Sequence, residues 1–284
     1  MNINWYPGHM KKTKESIKKN LSLVDIVYEL IDARIPYSSR NPDIDNLIGD
    51  KPRLIIMAKK DLADEKANKL WNAHFRKKNI PSVNVDSLNN NGIEDIIKMS
   101  YILTEEKMKA LRKRGIINRP IRVMIIGIPN VGKSTLINSL SKRKGAKVGN
   151  RPGVTKANQW IKIKGNLELL DTPGILWPKF EEKDIALNLA FTGAIKDELL
   201  DIETLTLELI KKLNSISPEI LINRYGLSNT DRLAYDTVQE IGQKRGCIVK
   251  GGEIDFLKTS NIILDEFRKG HLGKITLELP MEES

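Results

Sequence analysis

The chain has 284 residues, 40% of them hydrophobic and 29% charged, a formal net charge of +11 and one cysteine, Cys247. This length allows one large domain or two ordinary ones with a sizeable core, and a single cysteine excludes an internal disulfide framework and fits a reducing compartment. Residues 1–180 carry a net of +17 and residues 181–284 a net of −6, so the first part suits a polyanionic partner whose counterions are released on binding, with plain solubility and phosphate affinity as the alternative.

The start of the chain, MNINWYPGHMKKTK, lacks the apolar core of a signal peptide. No apolar run approaches the ~18 residues that would span a bilayer. The expected location is the cytoplasm, with no membrane partner.

In chain order, a basic segment over 1–20 runs from an aromatic-Pro-Gly-His turn into a lysine-rich helix. The apolar runs in 21–34 and 53–59 predict two buried strands, and 64–79 an amphipathic helix between the second and a third strand at 80–86. Residues 92–115 predict a long helix ending in a basic turn. A fourth strand, IRVMIIGI, is followed by the helix KSTLINSLSK, and WIKIKGNLELL predicts two strands joined at Gly165-Asn166. Strands alternating with helices imply α/β architecture, a mostly parallel sheet with helices on both faces. After Trp177-Pro178 only helical periodicity remains and the charge changes sign. The expected domains are therefore 1–180 and a smaller all-α domain over 181–284.

The string GIPNVGKST over 127–135 fits G-x-x-x-x-G-K-[ST] and lies between an apolar strand and a helix, the setting this pattern requires. Such a loop turns successive backbone N–H groups, here from Asn130 through Val131, Gly132, Lys133, Ser134 and Thr135, toward phosphate oxygens at the positive end of a helix dipole. Lys133 is expected to reach the β- and γ-phosphates, and the Ser134 hydroxyl to bind Mg²⁺. LELLDTPG supplies Asp171 at a strand end for the metal and Gly174 for an N–H to the γ-phosphate. Between them, Thr155 in GNRPGVTK is the expected second hydroxyl ligand of Mg²⁺; a plain turn threonine is the alternative.

In GTPases, base choice is made by Asn-Lys-x-Asp after a strand, ordinarily downstream of the phosphate loop. No such string follows Gly174. Upstream, Ala58-Lys59-Lys60-Asp61 fits all but the asparagine, and Asp86-Ser87 in VDSLNNNG resembles the loop that backs the base. The base-reading pieces precede the phosphate pieces, which is the order of a circularly permuted GTPase. Together with WYPGHM, DARIPYSSRNP, RPGVT, LLDTPGILWPK, TGAIKD and IGQKRGCIVKGGEID, the chain resembles the circularly permuted ribosome-assembly GTPases, and within them the ribosome biogenesis GTPase A (RbgA/YlqF) family.

The resemblance implies a circularly permuted P-loop GTPase domain followed by a helical domain. It implies a GTP-hydrolysing factor in late assembly of the large (50S) ribosomal subunit, binding precursor particles and 23S rRNA and monomeric off the ribosome. Lys59 would lie along the base and Asp61 would accept from guanine N1 and N2, which adenine cannot match. Ala58 can neither contact the base nor tie its loop to the phosphate loop as the family's asparagine does, so weaker GTP binding with guanine preference retained is expected.

Ile175 and Leu176 stand where Ras-like enzymes place a water-orienting glutamine. His9 is the candidate replacement, an imidazole able to orient water near neutral pH, or else a histidine packed in an N-terminal turn. Asn130 matches an asparagine that K⁺-activated GTPases use as a potassium ligand, or else only shapes the loop. Candidate RNA contacts are Lys11 and Lys12 in the N-terminal segment and Lys244, Arg245 and Lys250 beside glycines in the second domain. A solvated helix end is the alternative. Two other readings stay open: an rRNA-binding scaffold with little turnover, and an NTPase of relaxed base specificity.

Overall fold

The computed structural model describes residue 15 and residues 17–141, 160–170, 182–229 and 231–281. His9, Lys11, Lys12, Thr155, Asp171 and Gly174 lie outside them. Residues 17–21 close a helix that leads into the sheet.

Six strands form one sheet: β1 (Ile26–Asp32), β2 (Arg53–Ala58), β3 (Ser82–Val85), β4 (Ile121–Gly127), β5 (Trp160–Ile163) and β6 (Leu167–Leu170). Their order is β3-β2-β1-β4-β6-β5, all parallel except the edge strand β5. The central strands are apolar on both faces because both are covered. All seven residues of β1 are buried, including Glu29, whose carboxylate accepts from Arg40 Nε at 3.1 Å and Arg53 Nη1 at 3.3 Å.

The faces are divided by parity, as a pleated strand requires. Val27, Met124 and Ile126 meet Ile44, Leu47 and Ile48 of α1 (Ile44–Ile48). Ile31, Ile55 and Met57 meet Trp71 and Phe75 of α2 (Glu65–Lys77). On the opposite face Ile26, Tyr28, Leu30, Leu54 and Ile56 meet α3 (Ile93–Lys113) and α4 (Lys133–Leu140). The long helix α3 buries Ile93, Ile96, Ser100 and Thr104, one stripe at helical spacing. The chain thus steps from β1 to β2 to β3 with helices on one face. It then crosses back over the other face through α3 to β4, and leaves β4 in the opposite direction toward β6 and β5. The direction reverses between β1 and β4, which opens a crevice beyond their carboxyl ends.

The helical C-terminal region comprises α5 (Lys183–Phe191), α6 (Ile202–Ile216), α7 (Pro218–Tyr225), α8 (Ala234–Lys244) and α9 (Phe256–Lys269). Asp201 and Asp255 cap α6 and α9 through Thr204 N and Lys258 N, and Pro218 begins α7 where its missing N–H costs nothing. Helix α9 packs on α6 and α8. The apolar cluster of the α3/α4 face continues through Leu189 and Phe191 to Leu264 and Phe267, so this region shares its core with the sheet domain. No described helix is long and apolar enough to cross a membrane.

Candidate functional site

Four loops leave the carboxyl ends of β1, β2, β3 and β4. The loop after β2 begins with Lys59 in the left-handed region, φ 58°, continues as a 3₁₀ turn over Lys60–Leu62, and ends at Asp64, which caps α2 by accepting from Ala67 N at 2.7 Å. The left-handed residue swings the lysine side chain back across β1 and β4. Lys59 Nζ donates to the carbonyl oxygen of Asn130 at 2.7 Å and to Asp32 Oδ2 at 2.9 Å. The turn after β2 and the phosphate loop, 71 residues apart at Lys59 and Asn130, are thereby joined by one ammonium group.

Asp32, the last residue of β1, is buried and also accepts from Arg34 through its backbone N and Nε at 3.0 Å and Nη2 at 2.8 Å. Burial alone would raise its pKa, but Arg34 and Lys59 outweigh it and hold the carboxyl well below the usual range. Burial and the nearby Arg34 lower the pKa of Lys59, while Asp32 opposes that shift. Asp61 is half-buried, and burial raises its carboxyl. A carboxylate partly stripped of water gains most from a paired donor such as the N1–H and N2–H edge of guanine.

The phosphate loop is shaped by two glycines for different reasons. Gly132 has φ 105° at the mouth of α4, a conformation open to glycine. Gly127 has no such angle; a Cβ there would lie 2.6 Å from the Leu30 carbonyl oxygen, so the residue is small because β4 runs tight against β1. Freedom to curl is therefore the reason only for Gly132. Val131 is buried in the core, and Lys133, Ser134 and Thr135 form the first turn of α4. Ala58 faces this loop, its Cβ 3.9 Å from where a Cβ on Gly132 would stand. The tie that Ala58 cannot make is made by its neighbour, Lys59.

The loop after β3 is held to the same helix. Ser139 of α4 donates to Ser87 O at 2.5 Å. Asp86 is consumed by its own turn, accepting from Leu88 N, Asn89 N and Asn89 Nδ2, so it sets the shape of this loop. For Mg²⁺, the donor chemistry present is the Ser134 hydroxyl at the mouth of the helix; β6, which leads in sequence to Asp171, pairs in parallel beside β4. A hydroxyl at that point fits the ion.

Asn130, φ 57°, donates its Nδ2 to Gly193 O at 2.7 Å. Its amide nitrogen is thus committed to the helical region, which leaves the amide oxygen as the side-chain atom able to face a cation. Between the two regions a cleft of about 310 Å³ is lined by Arg34, Lys59, Asn130, Gly193, Lys196 and Arg268. Arg268 donates to Ala190 O, Phe191 O and Asp197, and Arg34 Nη1 to Arg268 O at 3.3 Å.

Of the candidate RNA contacts, Lys244 donates to Gly226 O and pairs with Glu240. Arg245 pairs with Glu266 at 2.9 Å and stands over the Tyr225 ring. Both cations brace the helical region through these pairs and, like Lys250 on its turn, are exposed. Sequence reasoning assigned no role to Asp32, Arg34 or Gly193. The first two stand in the DARIPYSSRNP string and the third in TGAIKD, but no local spacing tells which distant group each will meet.

A family profile described as 50S ribosome-binding GTPase matches residues 122–225; it begins at β4 and leaves residues 58–61 outside. Ribosome biogenesis GTPase A of Bacillus licheniformis is 46% identical over 280 residues, covering 99% of both chains. Among solved structures, GNP-bound YlqF from T. maritima superposes with a TM-score of 0.63 at 26% identity, over 95% of this chain and 98% of that one. A GDP-bound YlqF gives 0.64 at 27%, over 93% and 99%.

Proposed function

Since the chain belongs to the ribosome biogenesis GTPase A family and is a GTPase, we propose that it assists assembly of the large (50S) ribosomal subunit, binding precursor particles and 23S rRNA and hydrolysing GTP faster when bound to them. The supporting observation is the Lys59 bridge, which joins two segments distant in sequence at the carboxyl edge of the sheet. In this reading Lys59 and Asp61 hold guanine, with the loop at Asp86-Ser87 behind it. The backbone from Asn130 to Thr135 and the Lys133 ammonium hold the phosphates. Ser134, with Thr155 and Asp171, holds Mg²⁺, which when bound draws charge from the β- and γ-phosphate oxygens. Gly174 offers its N–H to the γ-phosphate.

His9 orients the attacking water, and the Asn130 amide oxygen would hold a K⁺ ion, whose charge would offset the negative charge developing on the phosphates. The basic first 180 residues, Lys11 and Lys12 among them, together with Lys244, Arg245 and Lys250, face rRNA. The division into domains 1–180 and 181–284 belongs to the same proposal, as do a cytoplasmic location and a monomeric state away from the ribosome.

The test is turnover of GTP and ATP with and without purified large subunits, in K⁺ and in Na⁺ buffer. GTP-selective turnover that rises with subunits supports the proposal. Turnover unchanged by subunits would leave the scaffold reading, which Ile175 in the glutamine position favours. Comparable ATP turnover would favour the relaxed-specificity reading. Equal rates in the two salts would remove potassium, and unchanged subunit-stimulated turnover in His9→Ala would remove His9.

A further inference from the structure

After α9 the described residues return to the carboxyl edge of the sheet. Residues 275–277 are buried and run between the loops that follow β1 and β2. Leu277 N donates to Arg34 O at 2.8 Å, and Ile275 N donates to Leu62 O at 2.9 Å. Thr276 Oγ1 accepts from Asp64 N at 3.1 Å, across 212 residues of sequence. Glu278 O accepts from Trp71 Nε1 at 3.0 Å. The Glu278 carboxylate accepts from Ser38 N at 2.7 Å, Ser38 Oγ at 2.6 Å and Asn188 Nδ2 at 3.0 Å. Where the tail leaves α9, Gly270 lies so close to Leu62 that a Cβ would come within 2.6 Å of its Cδ2.

These contacts fall on one target. Leu62 and Asp64 end the turn that carries Lys59 and Asp61, and Arg34 holds the carboxylate to which Lys59 is anchored. The turn itself is short, its first residue is left-handed, and its entry residue Ala58 has no polar side-chain atom with which to fix it. Its backbone carbonyl at Leu62 and amide at Asp64 are satisfied by the tail instead of by the sheet. We propose that residues 275–278 are a positioning element for base recognition: through Leu62 and Asp64 they hold Asp61 in register with the guanine edge, a task the base loop of this chain does not complete by itself. The proposal rests on the reading of Lys59–Asp61 as the base loop. It implies that docking of the tail and binding of a guanine nucleotide support each other by the same factor in either direction.

The test separates base recognition from general stability. Inosine nucleotides lack the 2-amino group that Asp61 would accept, so the ratio of GDP to IDP affinity reports the placement of Asp61. In nucleotide-free protein the Thr276→Val/Glu278→Gln double variant is expected to lose about tenfold in that ratio, the worth of one hydrogen bond, with IDP affinity nearly unchanged. Thr276→Ser, which keeps the hydroxyl, is expected to retain it. Equal weakening of GDP and IDP, or an unchanged ratio, would overturn the proposal by making the tail a support of the fold alone. Asp61→Asn serves as the reference. If it loses the preference and the tail variants do not, the tail proposal fails alone; if it too keeps the preference, the base-loop reading fails and the proposal with it. Thermal unfolding of each variant establishes that it is folded during the measurement.

Discussion

Replacing Lys59 by methionine keeps the aliphatic stem and removes the ammonium group that joins Asp32 to the phosphate loop. Two contacts are lost, at 2.9 Å to a carboxylate and 2.7 Å to the Asn130 carbonyl. Hydrogen bonds to charged groups contribute about 1.5–3 kcal/mol each. Two considerations reduce the sum. Arg34 still holds Asp32 through three donors, so the carboxylate is not orphaned, and the ammonium no longer has to be buried. A loss of about 2 kcal/mol in the unfolding free energy is therefore expected. With the base loop no longer tied to the phosphate loop, guanine nucleotides should bind about 30-fold more weakly. Denaturant titration of nucleotide-free protein and fluorescence titration with a labelled GDP measure the two quantities. Lys60→Met is the control, because Lys60 makes only a 3.4 Å contact with Asn91. If Lys59→Met binds GDP within about threefold of the parent chain, or if Lys60→Met loses as much, the bridge is not what assembles the site.

Ala58→Asn places an amide against the phosphate loop and should strengthen GTP and GDP binding alike by up to about tenfold, seen in the same titration. Gly127→Ala should destabilise the fold by about 1–3 kcal/mol, because the new methyl group meets a strand carbonyl that cannot move aside. The pKa of Asp32 is depressed on folding, so its contribution is fully present above its ordinary value of 3.8 and is lost as pH falls below that. The difference in unfolding free energy between the parent chain and Asp32→Asn should accordingly be flat at neutral pH and shrink progressively in acid; a difference that grew in acid would reverse the assigned sign.

Where local chemistry suffices, the structure follows the sequence closely. Asp64 begins a helix because its carboxylate can cap one, and the helix runs over Glu65–Lys77 within the predicted 64–79. The buried runs at β1 and β4 announce central strands, and the turn at Gly165-Asn166 separates β5 from β6 as expected. The short helix Ile44–Ile48 was not foreseen, being too brief to show a period of its own. Among the functional groups, the phosphate loop is legible because its pattern, strand and helix are contiguous.

The pairing of Lys59 with Asp32 and Asn130 is not legible in that way, nor is that of Asn130 with Gly193 or of Thr276 with Asp64. Each joins segments that adjacency in a sheet or the return of a tail brings together. Composition, periodicity and the order of the two nucleotide segments by themselves determined an α/β domain of permuted connectivity with a helical region after it. Which lysine bridges the loops, why Gly127 must be glycine and what pairs with Leu62 and Asp64 were decided by tertiary packing. Hydrophobic period and turn chemistry act over a few residues, whereas a buried charge or amide finds its partner only once distant strands lie side by side.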